Sequence, residues 1–424
     1  MNDSTSTVAA RSRIAAPSGR TVLRTAMVVG LAELGFATVI PLLPLYLTER
    51  LGASVKLVGA VVASFALVET VFKTAWGSLA DRIGRRPTMI AGLVLSSLAP
   101  LVMSVLRVPI LFIPLRLVDG IGSSALWPSA SAIIADTSPP DGRATAMGAL
   151  NMWFLAGLAL GPALGLYVVG FTGNYASGFY LASFLLATSA LVGIGTLRGV
   201  PDHGAAAPTG TVVGYHGVAP KPHLSDVVES ARLSPLLFVM FMVAFVQMFA
   251  VGLLAPIMVI YAKRVIGLPE HLIGTLFLLL VLSVAAASVP AGRLADTKGK
   301  RRTVAGGMVL GSAGMWVLQS TPSLGVLTVG AIMLGGSYAL ASPAWHALVS
   351  RLAPPGRIGL AMGASQTAEG LGLVLGPLLG GVLWDALGHR APFVAAAILL
   401  TAGTVVLLIS LRVFPQPQSV RGRR

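Results

Sequence analysis

The chain has no cysteine and very few charged residues. The lack of cysteine excludes disulfide bonds, thiol catalysis and cysteine-based metal sites. Charged residues make up 11% of the 424 residues, whereas a water-soluble domain needs about 25% to cover its surface. Hydrophobic residues account for 55%, and the mean hydropathy is +0.84. The composition therefore predicts a protein that is solvated by lipid.

Twelve apolar runs are long enough to cross a bilayer, which takes roughly 20 residues. The sequence therefore predicts an all-α membrane protein with 12 transmembrane helices in two six-helix bundles. The predicted bundles span 23–197 and 236–412, and a linker rich in Gly, Pro, Ala and His joins them over 198–235. Residues 1–22 and 413–424 are predicted tails. Because 1–22 is polar and the first apolar run can span, we expect no cleaved signal peptide.

The second half of the chain repeats the first at a constant offset of 215 residues. The segment Gly77–Arg86 returns as Gly292–Arg301, and Gly157–Gly165 returns as Gly372–Gly380. A constant offset indicates a duplicated half. In a chain this apolar, duplication predicts two pseudo-symmetric bundles that face each other across a shared site near the membrane midplane.

The Lys and Arg residues fall mostly in the loops on one side of the predicted bundles. Cytoplasmic loops carry such an excess, so both termini and the linker are expected in the cytoplasm of a multi-pass protein of the plasma or inner membrane. The net charge of +15 is then explained by topology, and nucleic acid is not an expected partner.

Four acidic residues and two basic residues, a lysine and an arginine, lie well inside predicted helices, where an ionised side chain costs at least a few kcal/mol. Glu69 and Lys73 are four residues apart, so we expect them to pair on one helix. Arg116 and Asp119 are three apart and are candidates for a second pair. Glu33 and Glu369 have no charged residue at helical spacing, which makes them candidate functional acids.

Three motifs carry a family resemblance that covers nearly the whole chain. The segment Gly77–Arg86 has the pattern G-x-L-a-D-r-x-G-r-r, and Arg116–Gly122 has the pattern R-x-x-x-G-x-G. The segment Gly157–Gly165 has the pattern G-x-x-x-G-P-x-x-G. Through these motifs the chain resembles the major facilitator superfamily and, within it, the twelve-helix drug:proton antiporters.

The resemblance implies a gating latch at the cytoplasmic ends of the helices. Asp81 would lie against the N-terminus of helix 11, where the helix dipole favours negative charge, and Arg85 would reach Asp136. The alternative is that the arginines only fix the topology. The full predicted gating set is Gly77, Asp81, Arg82, Gly84, Arg85, Arg86, Asp136 and Asp296.

The resemblance also implies roles inside the membrane. Glu33 is the first candidate carrier of a proton or a cationic substrate, and Glu369 is the second. The alternatives are a protonated Glu33 bonded to the backbone and a Glu369 that only packs between helices. Arg116 and Asp119 are implicated in proton coupling. The glycines and prolines Gly157, Gly161, Pro162, Gly165, Gly376 and Pro377 would allow close packing and bending as the bundles rock, or packing alone.

The expected function is the proton-coupled efflux of small amphiphilic compounds by alternating access. Flat aromatic faces suit lipophilic cations, and the predicted cavity residues are Trp127, Asn151, Trp153, Gln247, Tyr338 and Trp345. His346 is solitary in the sequence and is not assigned as a metal ligand. We expect a monomer in the lipid bilayer with a small-molecule substrate and protons, no cofactor, no metal and no enzymatic activity. A carrier of a single metabolite, such as a sugar or natural product, remains an alternative, and a transport-dead receptor or scaffold is a more remote one.

Overall fold

The computed structural model describes residues 19–139, 142–198, 235–353 and 358–413, and within them it is helical with no strand. The predicted tails and the linker 198–235 lie outside these ranges, apart from their first or last residues. The helices are α1 (Gly19–Leu45, continued by a π-helical turn, Tyr46–Arg50), α2 (Val55–Ile83), α3 (Arg85–Val105), α4 (Phe112–Ser123 and Leu126–Thr137), α5 (Arg143–Thr172), α6 (Tyr175–Thr196), α7 (Pro235–Leu254 and Ile257–Arg264), α8 (Glu270–Lys298), α9 (Lys300–Leu318), α10 (Leu324–Leu352), α11 (Ile358–Leu387) and α12 (Ala391–Val413).

Over the part of the chain that the structure describes, the helices α1 to α12 match the twelve predicted spans, which confirms the predicted fold class. In the described ranges, eleven segments are long and apolar enough to cross a membrane. The remaining one, α9, begins with Lys300, Arg301 and Arg302 and contains four glycines. These residues lower its hydropathy, yet α9 packs along α10 and α12 like the other spans.

Among the described residues, three hydrophobic cores show how the two halves meet. We call the membrane face at which α1 begins and α12 ends the tail side, and the opposite face the far side. The core at the far side is shared, because it contains Tyr46 from the first half and Tyr261 and Phe393 from the second. The tail side has two separate cores, one around Leu150 in the first half and one around Leu348 in the second. The halves are therefore joined at the far side and apart at the tail side.

The contacts between the halves follow the sequence repeat. Gly59 in α2 packs against the carbonyl group of Pro377 in α11 so closely that a β-carbon there would collide. Its repeat position, Gly274 in α8, packs against Ala163 in α5, where a β-carbon would lie 3.3 Å from the Ala163 carbonyl oxygen. The α2–α11 and α8–α5 interfaces are thus related by the pseudo-symmetry of the duplication.

The duplicated glycine motif packs helices within each half. Gly157, Gly161 and Gly165 of α5 lie against α1, and Gly372 and Gly376 of α11 lie in the same way against α7. A β-carbon on Gly161 would lie 2.6 Å from the Leu34 carbonyl oxygen. Both α5 and α11 remain continuous helices through their internal prolines. The glycines provide close approach of backbones, and their role in a hinge stays a prediction.

Candidate functional site

The opening between the halves ends where α2 meets α11. The contact between Thr70 and Gly370 lies further from the far side than the Gly59–Pro377 contact, and a β-carbon on Gly370 would lie 3.3 Å from the threonine methyl group. We call the region just beyond this contact, towards the tail side, the apex. Glu69 and Lys73 flank Thr70 on α2, and Glu369 precedes Gly370 on α11. Ionisable side chains from both halves therefore lie at the closed end of the opening.

A cluster of charged residues occupies the first half at this level. The predicted pair on α2 is present, with the Lys73 Nζ 3.0 Å from a Glu69 carboxylate oxygen and about a third of each side chain exposed. Both charges act on the carboxyl group of Glu33 in α1. Glu33 therefore has charged neighbours. They belong to α2, so the spacing of residues along α1 could not predict them.

The Arg116–Asp119 pair extends this cluster into α4. The two side chains form an ion pair and are almost completely buried, at 10% and 3% exposed. The Arg116 guanidinium lies over the ring of Phe65, 3.8 Å from its centre, and the Glu69 charge acts on both members of the pair. Three helices thus bring together an acid from α1, an acid–base pair from α2 and an acid–base pair from α4.

The second half carries a polar cluster between α10 and α11. Ser365 donates a hydrogen bond of 3.1 Å to the Glu369 carboxylate, and the indole Nε1 of Trp345 lies 3.5 Å from the Ser365 hydroxyl. His346 on α10 is close enough to Glu369 to interact with its carboxyl group electrostatically. His346 is therefore not solitary. The signal that reveals it is the four-residue spacing of Tyr338, Ser342 and His346, which places three polar side chains on one face of α10.

Of the two contacts predicted for the latch, the one between Arg85 and Asp136 is present and the one between Asp81 and α11 is not seen. Arg85 forms an ion pair with Asp136 and donates a hydrogen bond of 2.7 Å to the Ala132 carbonyl. Asp81 is 69% exposed and lies 3.7 Å from Arg85, rather than against α11. Because the halves are apart at the tail side, the α11 N-terminus is not available to Asp81 in this conformation. Gly84 has a φ of +103°, which other residues rarely adopt.

The other members of the predicted gating set lie at the tail-side ends of the helices. Arg86 donates a hydrogen bond of 2.8 Å to the Ile194 carbonyl, which connects the first turn of α3 to α6. Arg82 and Asp296 are exposed, and Gly77 is partly buried with open space beside it.

Polar contacts that the sequence did not predict close the far side. They join three pairs of helices, and we call them together the far-side clasp. The Arg264 Nε lies 2.6 Å from a Glu49 carboxylate oxygen, the Asp385 carboxylate accepts hydrogen bonds from the backbone N–H groups of Val55 and Lys56, and the hydroxyl group of Tyr175 donates to Glu270. All three contacts cross between the halves.

The predicted cavity residues divide into two groups. Tyr338 is 42% exposed, and Asn151, Trp153 and Gln247 are partly exposed. Trp127 and Trp345, at 6% and 4% exposed, lie instead in the two tail-side cores. Those two indoles pack their own half and do not line the opening in this conformation. The sequence could not separate the groups, because both tryptophans lie on helices that also face the opening.

Comparisons with known proteins agree with this architecture. The family model described as Major Facilitator Superfamily matches residues 25–249 and 240–424. The chain is 24% identical to Multidrug resistance protein 2 of Bacillus subtilis over 89% of this chain and 92% of that protein. It is 26% identical to a homologue of the multi-drug resistance efflux pump PmrA from Lactococcus lactis, over 91% and 93% of the two chains.

A solved structure shares the fold. It is a bacterial homologue of the human lysosomal transporter Spinster in an inward-facing and unoccupied conformation. The two chains are 17% identical, with a TM-score of 0.74 over 93% of this chain and 97% of that one. The matches to the family model cover both halves of the repeat. The chain therefore belongs to the Major Facilitator Superfamily.

Proposed function

We propose that this protein is a secondary active transporter that exports small amphiphilic compounds in exchange for protons, and that it acts as a carrier and not as an enzyme. The observation that carries the proposal is the charged cluster of Glu33, Glu69 and Lys73 next to the Thr70–Gly370 contact, between halves that share a core at the far side and have separate cores at the tail side. The relatives named as multidrug resistance proteins support the substrate class.

We assign the tail side to the cytoplasm. The excess of Lys and Arg in the tail-side loops supports this orientation. The described conformation is then open to the cytoplasm and closed by the far-side clasp. We further propose a monomer in the cell membrane, with bundles at 23–197 and 236–412 joined by a cytoplasmic linker.

Exchange requires that proton and substrate do not bind together. In the proposed cycle, Glu33 takes up a proton from outside and releases it when the bundles open to the cytoplasm. The ionised carboxylate then attracts the cationic group of a substrate, while Lys73 remains paired with Glu69. Tyr338 and Gln247, which are exposed or partly exposed, provide surface for the apolar part. When the bundles rock back, a proton replaces the substrate on the outer side.

Replacing Glu33 with Gln tests the proposal in liposomes that contain the purified protein. A pH-sensitive dye reports proton movement on addition of a fluorescent lipophilic cation. We expect Glu33→Gln to abolish the substrate-driven proton signal, and Glu33→Asp, which keeps a carboxyl group, to retain part of it. An unchanged proton signal in Glu33→Gln would remove Glu33 from the mechanism.

A further inference from the structure

The packing of α8 against α10 repeats the packing of α2 against α4 residue by residue. A β-carbon on Gly120 of α4 would lie 2.9 Å from the carbonyl oxygen of Phe65 in α2. A β-carbon on Gly335 of α10 would lie 2.5 Å from the carbonyl oxygen of Leu280 in α8. Both residues of the second contact are the repeat positions of the first. Side chains at equivalent positions of these two interfaces can therefore be compared directly.

The space between α2 and α4 is filled by the side chain of Arg116. Its guanidinium lies over the ring of Phe65, 3.8 Å from the ring centre. The repeat positions of these two residues are Ala331 and Leu280. Both are smaller, because Ala331 ends at its β-carbon and Leu280 has no ring. The second half therefore lacks the groups that occupy this space in the first.

A cavity of about 70 Å³ lies at the equivalent place in the second half. Leu280, Ala331 and Leu334 line it, together with side chains from α7 and α9. Phe277 stands where the first half has Val62, so it fills part of the space. The remaining gap is notable because protein interiors are close-packed, and voids larger than a water molecule are few in any domain.

The lining of this cavity is nonpolar. None of the side chains around it carries nitrogen or oxygen. A buried water needs about two to four polar partners, and a cavity of roughly 150 Å³ lined by Leu, Ile and Phe stays dry and binds benzene or xenon. The present cavity has about half that volume and the same kind of lining. It therefore fits a nonpolar group smaller than benzene.

We propose that this cavity is a binding site for a small nonpolar ligand, a hydrocarbon group smaller than benzene. The ligand fills the gap between α8 and α10, as the side chain of Arg116 fills the equivalent gap in the first half, and stabilises the second half. Leu334 lies roughly ten residues into α10, or about 15 Å along the helix from the far side. This is half of the ~30 Å hydrocarbon core, a depth at which lipid acyl chains end. The group can thus come from an acyl chain or from a freely dissolved nonpolar molecule.

Crystals of the full chain pressurised with xenon test the site. We expect an anomalous-scattering peak among Leu280, Ala331 and Leu334, and no peak beside Arg116. Ala331→Met extends an unbranched side chain into the cavity, so it should remove the peak and raise the melting temperature by about 2–4 °C. Val329→Met is the matched control, because it adds the same side chain at a position of α10 that is 49% exposed. It should change neither the peak nor the melting temperature.

A variant that enlarges the cavity keeps the test decisive even where Ala331→Met fails to fold. Leu280→Ala removes all of the leucine beyond its β-carbon. The enlarged cavity should admit benzene, which the cavity of the wild-type protein is too small to hold. Electron density in crystals exposed to benzene vapour reports this difference between the two proteins.

A phospholipid with a photoreactive diazirine at the end of one acyl chain distinguishes the two sources of the group. Leu318 and Leu327 line the cavity and are 1% and 3% exposed, so the probe labels them only by entering it. Labelling in nanodiscs that is lost in Ala331→Met would assign the acyl chain. Xenon binding without such labelling would assign a freely dissolved molecule.

Three results would overturn the nonpolar site. They are no xenon in the cavity of the wild-type protein, an unchanged xenon peak in folded Ala331→Met, and no benzene in Leu280→Ala. Failure of the proposed function would show elsewhere, as proton exchange that survives Glu33→Gln in liposomes.

Discussion

Glu49 and Arg264 occupy equivalent positions in the two repeats, 215 residues apart, and they pair with each other at the far side with an N–O distance of 2.6 Å. Two residues related by a pseudo-twofold axis can meet only where they lie close to that axis. Here the duplicated positions carry opposite charges, so each half provides one member of an ion pair between the halves. Arg264 also donates to the Thr48 carbonyl at 2.5 Å.

Removing one member of this pair should favour opening of the far side. We expect Arg264→Gln to lower the stability of the closed far side by about 0.5–1 kcal/mol, because both side chains are partly exposed. This corresponds to a shift of about two- to fivefold in the conformational equilibrium. The double exchange Glu49→Arg with Arg264→Glu should restore most of the wild-type population.

The chain has no native cysteine, so spin labels can be attached to Phe171→Cys and Leu387→Cys, at the far-side ends of α5 and α11. Those positions are 87% and 73% exposed. Distance distributions between the labels report far-side opening. A double charge exchange that opens the far side as much as Arg264→Gln does would show that the pair contributes nothing specific to closure.

Asp385 should stabilise the same closed conformation through the N-terminus of α2. Its carboxylate accepts hydrogen bonds of 2.8 Å from the Lys56 N–H and 3.3 Å from the Val55 N–H. Loss of such a cap costs about 0.5–2 kcal/mol. We expect Asp385→Ala to increase the far-side open population in the same distance measurement. Asp385→Asn, which retains an acceptor, should have a smaller effect, and equal effects of the two variants would contradict the capping role.

The glycines that pack α5 against α1 should tolerate no side chain. A β-carbon on Gly161 would meet the Leu34 carbonyl oxygen at 2.6 Å, and the obstacle is backbone that cannot rotate away. We expect Gly161→Ala to lower the free energy of unfolding by about 1–3 kcal/mol, measured by thermal unfolding in detergent. Gly148→Ala is the matched control on the same helix, because nothing lies within 4 Å of its β-position. Similar melting of the two variants would contradict the packing argument.

Variants of the buried Arg116–Asp119 pair on α4 should distinguish a contribution to stability from a contribution to transport. Arg116→Met leaves the Asp119 carboxylate buried without its partner, which costs about 3–5 kcal/mol. Arg116→Met combined with Asp119→Leu removes both charges and should recover most of the stability. We expect neither variant to support proton-coupled transport. Transport by the stable double variant would show that the pair is structural only.

The sequence determined the membrane class, the twelve spans and the two-fold repeat. These features depend on local composition and on periodicity, which do not require knowledge of helix packing. The pairs Glu69–Lys73 and Arg116–Asp119 were also predictable, because three- and four-residue spacing places side chains together on any α-helix.

Only the tertiary structure decided which side chains from different helices meet. The charges that act on Glu33 come from α2, and Trp127 packs into the core of its own half. His346 interacts with Glu369 because α10 packs against α11. The sequence also could not predict which side of the protein is closed, because the Glu49–Arg264 contact depends on how the two bundles are oriented. Such contacts join positions far apart in the chain. The sequence of a helix shows which residues share a face, but it does not show which other helix packs against that face.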